Sequence, residues 1–518
     1  MYQIKKLVYF TLLGSLALTG LAHAQQESYG QTSFEATGSE AAHVDFIKGL
    51  LQMHNFEFDD ARGSFQSALA IDPDFTMAYW GEALSYEHSF WGRFNTEASR
   101  AVLARLGANP VERATKAKTK REKAYLNSIE ILFSEGVQEE REVRYSEALR
   151  LIHEQYPDDQ DAAAFYALSI LFTTYGGRDI SRYMQAAAIT ESILEINPLH
   201  PGALHYNIHS YDDPTHAPLG LRAAERYFQV APSAIHALHM GAHIYYALGM
   251  WEDGVDRNTR SFEEAVARQE YPDDSYGHQA YHALTWIPYG LQQAGKRDEA
   301  REYVALISKQ VALYPDNPVA RQHLVSTRAS YIVDTGEWNS DLANVKVDHT
   351  DLDAYSIATD FYLQGLVSLN RADLDGARTA LAAMGGEEKL QGGNRKTISP
   401  HLLRLALQGQ IEMAAGNTDP GVALIAEAEG LEGALPAEYG PAVPVQPMAE
   451  LLADTYLALG NHQMAEQFYT DSLQRAVGRE RSLMGLEEAQ LASAPSDLPN
   501  SSELLTSINA SDSQLPAR

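Results

Sequence analysis

The chain has no cysteine in its 518 residues. That absence rules out disulfides, iron–sulfur clusters held by cysteine, covalent c-type haem and a bacterial lipid anchor, and it leaves only nitrogen and oxygen donors for any metal. Basic side chains are also scarce, 40 Lys and Arg against 69 Asp and Glu, for a formal charge of −29. Binding to a nucleic-acid backbone or to an anionic membrane surface needs a basic face, and this composition argues against both. Solubility is the simplest reading of the acidity, and attraction of cationic partners or metal ions is compatible with it. Beyond the N-terminus no stretch reaches the roughly 20 apolar residues that span a bilayer. No alternating apolar and polar pattern flanked by turn signals marks a strand.

What is present is helical. The first 24 residues have the form of a secretory signal, with Lys5 and Lys6, an apolar run from Leu7 to Leu21, and Ala22-His23-Ala24 as a small-x-small cleavage site. The expected mature chain starts near Gln25 and is periplasmic or secreted, with no membrane insertion once the signal is removed. Residues 25–40 are polar, small and aperiodic, the composition of a flexible leader. Helical periodicity sets in at residue 41. Gly49, Ala61, Phe65, Ala68 and Pro73 fall at the spacing of the tetratricopeptide repeat, about 34 residues forming two antiparallel helices with small residues where they touch.

Tyr79, Trp80 and Ala83 open a further first helix, which carries Glu87 and His88. The turn and second-helix signature returns at Gly249, Trp251 and Gly254, at Gly295, Arg297 and Ala300, and at Gly460, Ala465 and Tyr469. The expected fold is all-α, an α-solenoid of tetratricopeptide-type helix pairs over residues 41–490, each pair burying its face only against its neighbours. The basic run 108–123 reads as a solvated connection leading into a helix. Irregular links are expected at 340–353, 387–400 and the Pro-rich 435–447, with a disordered tail over 491–518.

Histidine is the loudest chemical signal. Nine of the chain's 18 histidines lie between Leu199 and His282, where even spreading would place about three. In a tetratricopeptide stack the first helices line the concave face through their second, fifth and ninth residues. Counted from Pro198 and Pro232, His205 and His209 take the fifth and ninth places of one first helix, and His236, His239 and His243 the second, fifth and ninth of the next. Residues three, four and seven apart share a helix face. His278 and His282 add another four-apart pair, so the central repeats, 198–290, can aim seven imidazoles at one concavity. Helices packed about 8–10 Å apart allow imidazoles from both to share an ion bound at about 2.0–2.1 Å.

A zinc-protease mechanism is disfavoured, because the glutamate that should follow the first histidine of such a pair is replaced by Tyr206, Met240 and Gln279. With imidazoles and no thiolate, copper, zinc, iron or nickel all suit the site, and more than one ion can be held. The competing reading is a neutral polar groove that binds an extended peptide or a partner helix without metal. Against it, imidazoles crowded together depress one another's charge and lose hydration unless something shares their lone pairs. Asp212 and Asp213 follow the first pair and are the nearest oxygen donors; Asp212-Asp213-Pro214 also reads simply as a turn. The aromatic residues near the groove, among them Trp80, Trp91, Tyr206 and Trp286, read mostly as repeat core, with room for one or two as substrate walls.

The runs M-A-Y-W-G-E-A-L-S-Y-E-H-S-F-W (77–91), H-P-G-A-L-H-Y-N-I-H-S-Y-D-D-P-T-H (200–216), A-P-S-A-I-H-A-L-H-M-G-A-H-I-Y-Y-A-L-G-M-W (231–251) and Y-H-A-L-T-W-I-P-Y-G (281–290) resemble a family of bacterial exported tetratricopeptide-repeat proteins. The resemblance implies that His88, His205, His209, Asp213, His236, His239, His243 and His282 belong to one motif set, and it implies no particular activity. This chain departs from the pattern at Glu87, Ser89-Phe90 and Gly241-Ala242, where the resemblance leads one to expect Asn, Pro-Leu and Pro-Ser or Thr-Ser. The expected ligands are therefore His205, His209, His236, His239, His243 and His282, with His88 and Asp213 as further ligands or as groups that orient them. The expected cofactor is a transition-metal ion used for capture or for metal-assisted chemistry.

Overall fold

A computed structural model describes residues 29–175, 177–268, 276–384, 395–437 and 440–493. The expected signal sequence and most of the expected tail lie outside these residues. Within them the chain forms 23 α-helices, two 3₁₀ turns and one hairpin of two-residue strands. Successive helices pack in antiparallel pairs: Glu40–His54 with Phe58–Ile71, Gln160–Phe172 with Ile180–Ile196, Pro201–Tyr211 with Ala217–Val230, Ile235–Ala247 with Trp251–Ala267, and His278–Gln293 with Arg297–Leu313. The fold is an all-α solenoid of tetratricopeptide type. Among the described residues no helix is long and apolar enough to cross a membrane.

The local causes are legible. Short polar side chains cap helix starts: Asp159 accepts from the Ala162 N–H, Asn317 from Ala320, and Asp353 from Ser356. Thr119 and Glu122 form a reciprocal capping box at the end of the basic run. Pairs lock where an aromatic ring meets a glycine. A Cβ on Gly49 would stand 2.8 Å from the Phe65 ring and one on Gly81 2.5 Å from it, so two helices close over that one ring. Tyr246 fills the space beside Gly254 and Gly290 in the same manner.

Three stretches differ from the sequence expectation. Residues 29–39 are docked: Phe34 is buried between Phe46, Trp80 and Tyr125, Thr32 donates to Asp161 at 2.6 Å, and Thr37 donates to Glu122 at 2.7 Å. Their polarity is spent on buried carboxylates, which is why a segment that looks like a leader holds still from Tyr29. The helix Thr76–Leu84 stops short of His88. Ser85 turns its hydroxyl back onto the Glu82 carbonyl, and Glu87–His88 pairs with Arg93–Phe94 around a 3₁₀ turn that ends at left-handed Gly92, φ 65°. Part of the expected link 387–400 is already helical, since Arg395–Ala414 runs through Pro400.

The solenoid also coils back on itself. The end of the first helix reaches the Pro201–Tyr211 pair, where Tyr227 donates to Asn55 at 2.8 Å and His54 bonds the Tyr206 hydroxyl at 3.0 Å. Near the C-terminus Trp251 donates to the Gly478 carbonyl at 3.2 Å, and buried Arg479 joins Asp334 and Glu450. The concavity in front of the histidine helices is consequently occupied by the chain's own first pair and hairpin.

Candidate metal centre

Three neighbouring first helices supply the cluster. His205 and His209 come from Pro201–Tyr211, His236, His239 and His243 from Ile235–Ala247, and His282 from His278–Gln293. Both upstream helices are apolar or aromatic nearly all round, so their histidine stripe faces an interior and not open solvent. Five of the rings are buried, none more than 3 % exposed, and His282 is half-buried. The expectation of an open concave surface is thus replaced by a closed chamber. Phe56 lies 4.3 Å from the His205 ring, Phe90 4.3 Å from His209, Trp91 5.3 Å from His236 and Trp286 4.6 Å from His243.

The rings divide into two triads. Ligand atoms of His205, His209 and His236 lie within 4.8 Å of one another, and so do those of His239, His243 and His282. A third set, His209, Asp212 and His243, meets the same criterion of 4.8 Å and joins the two. Rings across the divide remain close: His209 to His243 is 5.6 Å and His236 to His239 5.9 Å between centroids.

Hydrogen-bond accounting fixes where the lone pairs point. His205 Nδ1 is 2.8 Å from the His54 carbonyl, which only accepts, so that nitrogen carries the hydrogen. His239 Nδ1 meets Asn258 Oδ1 at 2.5 Å, with the Asn258 amide nitrogen committed to the Gly254 carbonyl. His243 Nδ1 meets Asp212 Oδ2 at 2.5 Å. A ring that donates from Nδ1 and stays neutral has a bare Nε2. Yet His239 Nε2 and His243 Nε2 stand 2.9 Å apart, and His205 Nε2 and His236 Nε2 3.2 Å apart. At the first contact the two Nε2 atoms must share a hydrogen or a cation, because two facing lone pairs would repel.

Burial pushes His239 well below its ordinary value, with His243 adding to it, and burial likewise drives His205 down to about 3 and His209, His236 and His282 well below normal. Buried His209 Nε2 and Asp212 Oδ1 have no hydrogen-bond partner among the described residues. Imidazoles held at Nδ1 by a carbonyl, an amide and a carboxylate match the usual outer bonding of metal-ligating histidines. Three nitrogens per ion with a position left open suit copper, zinc, iron or nickel.

The remaining expected residues stand elsewhere. His88 bonds the Ser85 carbonyl through Nε2 and stacks on Phe58 at 3.9 Å, outside both triads, because its chain has left the helix for the hairpin. Asp213 is bound to Arg178 at 2.9 Å and to His216 Nδ1 at 2.9 Å, holding the turn; its neighbour Asp212 is the carboxylate that reaches the chamber. Sequence reasoning missed Asn258 and the His54 carbonyl, for which no local signal exists, since both arrive from other pairs.

It also missed a second buried group, His54, Asp161 and His200. There the accounting closes for His54, while His200 Nε2, 3.5 Å from Asp161, is left without a hydrogen-bond partner among the described residues. His54 donates from Nε2 to Asp161 at 2.9 Å while its Nδ1 accepts from Tyr206, and His200 Nδ1 accepts from the Ala203 N–H. Burial alone would raise the Asp161 pKa, but the contacts from His200 and His54 outweigh it and hold the carboxyl ionised.

No protein-family model matches the chain, and no curated protein matches it in sequence. Solved structures of similar helical build include the APC/C hetero-tetramer Cut9-Hcn1, 16% identical over 93% of this chain and 82% of that one, with a TM-score of 0.37. Yeast Tom70 is 11% identical over 90% of this chain and 92% of its own, TM-score 0.32. The human IFIT1 dimer with PPP-AAAA is 10% identical over 91% and 99%, TM-score 0.38. These likenesses are distant ones of helical build.

Proposed function

We propose that this chain is an exported transition-metal protein whose two histidine triads hold two ions, one on His205, His209 and His236 and one on His239, His243 and His282, with Asp212 orienting His243. The observation that carries the proposal is the convergence of six imidazoles into two triads, the ligand atoms of each within 4.8 Å of one another, with buried His209 Nε2 left without a hydrogen-bond partner among the described residues. A bound ion of this class supplies a Lewis acid and lowers the pKa of a coordinated water. The chain supplies the rest: imidazoles oriented at Nδ1, an aromatic shell that excludes bulk water, and an Asp212 oxygen without a hydrogen-bond partner beside the site. Metal-assisted chemistry suits this better than storage, because each triad leaves coordination positions open. The metal-free alternative, a groove for an extended peptide, is weakened at these repeats by the first pair and the hairpin, which fill the concavity.

Elemental analysis of tag-free protein, beside the His239→Ala/His243→Ala variant, tests the reading. The expected result is close to two equivalents of copper, zinc, iron or nickel per chain, with the second triad's ion lost in the variant while helicity by circular dichroism is retained. Metal-free protein that takes up none on reconstitution would overturn it. Export is tested on the same material: the mature N-terminus is expected near Gln25 by intact mass.

A further inference from the structure

Outside the chamber, against the hairpin, lies a cavity of about 650 Å³. That is the size range of small-ligand sites, about 300–1,000 Å³. Phe58 and Trp91 form its apolar wall, edge to face at 5.6 Å, and Phe58 is backed by the stacked His88 ring. Phe56 and Trp91 line the cavity on one side and touch His236 on the other, at 5.4 and 5.3 Å. The cavity is therefore the antechamber of the histidine cluster, separated from it by two aromatic rings.

Its charges are unequally matched. Asp59 is paired with Arg62 at 2.6 Å, and Asp60 and Glu57 share Arg268 at 3.4 and 3.5 Å. Arg93 has no carboxylate partner among the described residues. Its guanidinium is held instead by Nδ1 of His278, 3.1 Å away and 185 residues distant in sequence. A guanidinium only donates, so that ring nitrogen is the acceptor. A long-range bond to a neutral acceptor orients the exposed Arg93 fork without spending its charge, and an oriented guanidinium pairs with carboxylates through two parallel N–H bonds.

We propose that this antechamber binds a small aromatic carboxylate, its anionic end on Arg93 and its ring against Phe58 and Trp91. This binding does not rest on the metal reading.

Calorimetric titration of the full chain, with metal content measured on each preparation, uses benzoate, its uncharged isostere benzamide and the non-aromatic cyclohexanecarboxylate. Benzoate is expected to bind saturably at one site and more tightly than either analogue, by about tenfold over benzamide, the scale of one lost bidentate ion pair. Arg93→Ala is expected to remove that advantage, and Arg93→Lys to restore part of it, with metal content unchanged in both. Equal binding of benzoate and benzamide, no benzoate binding, or an Arg93→Ala variant that binds benzoate as well as the parent would each overturn the proposal. Benzoate binding by a chain that holds no metal would leave this site standing and remove the metal reading alone.

Discussion

At the scale of single residues, two adjacent carboxylates have opposite duties. Asp212 Oδ2 receives the His243 Nδ1 hydrogen, whereas Asp213 anchors Arg178 and His216. Asp212→Ala is expected to free the His243 tautomer and weaken metal binding about 10–100-fold, the usual consequence of losing such an orienting group. Asp213→Ala is expected to lower the melting temperature while metal affinity, titrated with a chromophoric chelator, stays within about twofold, since its partners lie off the chamber. The stripe of histidines was legible in the sequence because three, four and seven residues place rings on one face. The choice of Asp212 over Asp213 was not, because it depends on how the chain leaves the helix at Tyr211. Asn258 and the His54 carbonyl were equally out of reach, being delivered by other pairs.

At the scale of elements, the repeat was readable because its spacing reports a packing rule, that small residues sit where a ring must fit. Gly81 shows the rule sharply. A methyl there would lie 2.5 Å from the fully buried Phe65 ring, so Gly81→Ala is expected to cost about 1–3 kcal/mol by overpacking, more than the roughly 1 kcal/mol that alanine gains in a helix. Gly63, exposed on the partner helix with nothing within 4 Å of its missing Cβ, is the control; Gly63→Ala is expected to stabilise by about 0.5–1 kcal/mol in the same denaturant melts. The hairpin was not readable. Two-residue strands are too short to show a period, and residues 87–94 hold their shape by laying Phe90 and Trp91 over His209 and His236, which lie more than a hundred positions later.

At the scale of the whole molecule, closure of the coil is held by buried charge. Arg479 is fully buried between Asp334, 2.5 Å away, and Glu450, 2.7 Å away. Arg479→Ala would leave two buried carboxylates without their cation and is expected to cost about 3–5 kcal/mol, read by chemical denaturation. Nearest-neighbour periodicity says nothing of such contacts, so the sequence reading ended at a row of pairs and could not foresee a coil closed on itself.

That the orienting carbonyl belongs to residue 54, the covering rings to residues 56, 90 and 91, and the imidazoles to residues 205–282 makes the chamber a product of the most distant encounters in the chain. Contacts of such sequence separation form late in folding. A polypeptide still emerging from the ribosome carries only isolated four-apart histidine pairs, which chelate weakly and with little selectivity. On the reading proposed above, full coordination would arise only once the first pair has docked on the central repeats, so an ion would be drawn from the compartment in which folding is completed and not from the one in which the chain is made.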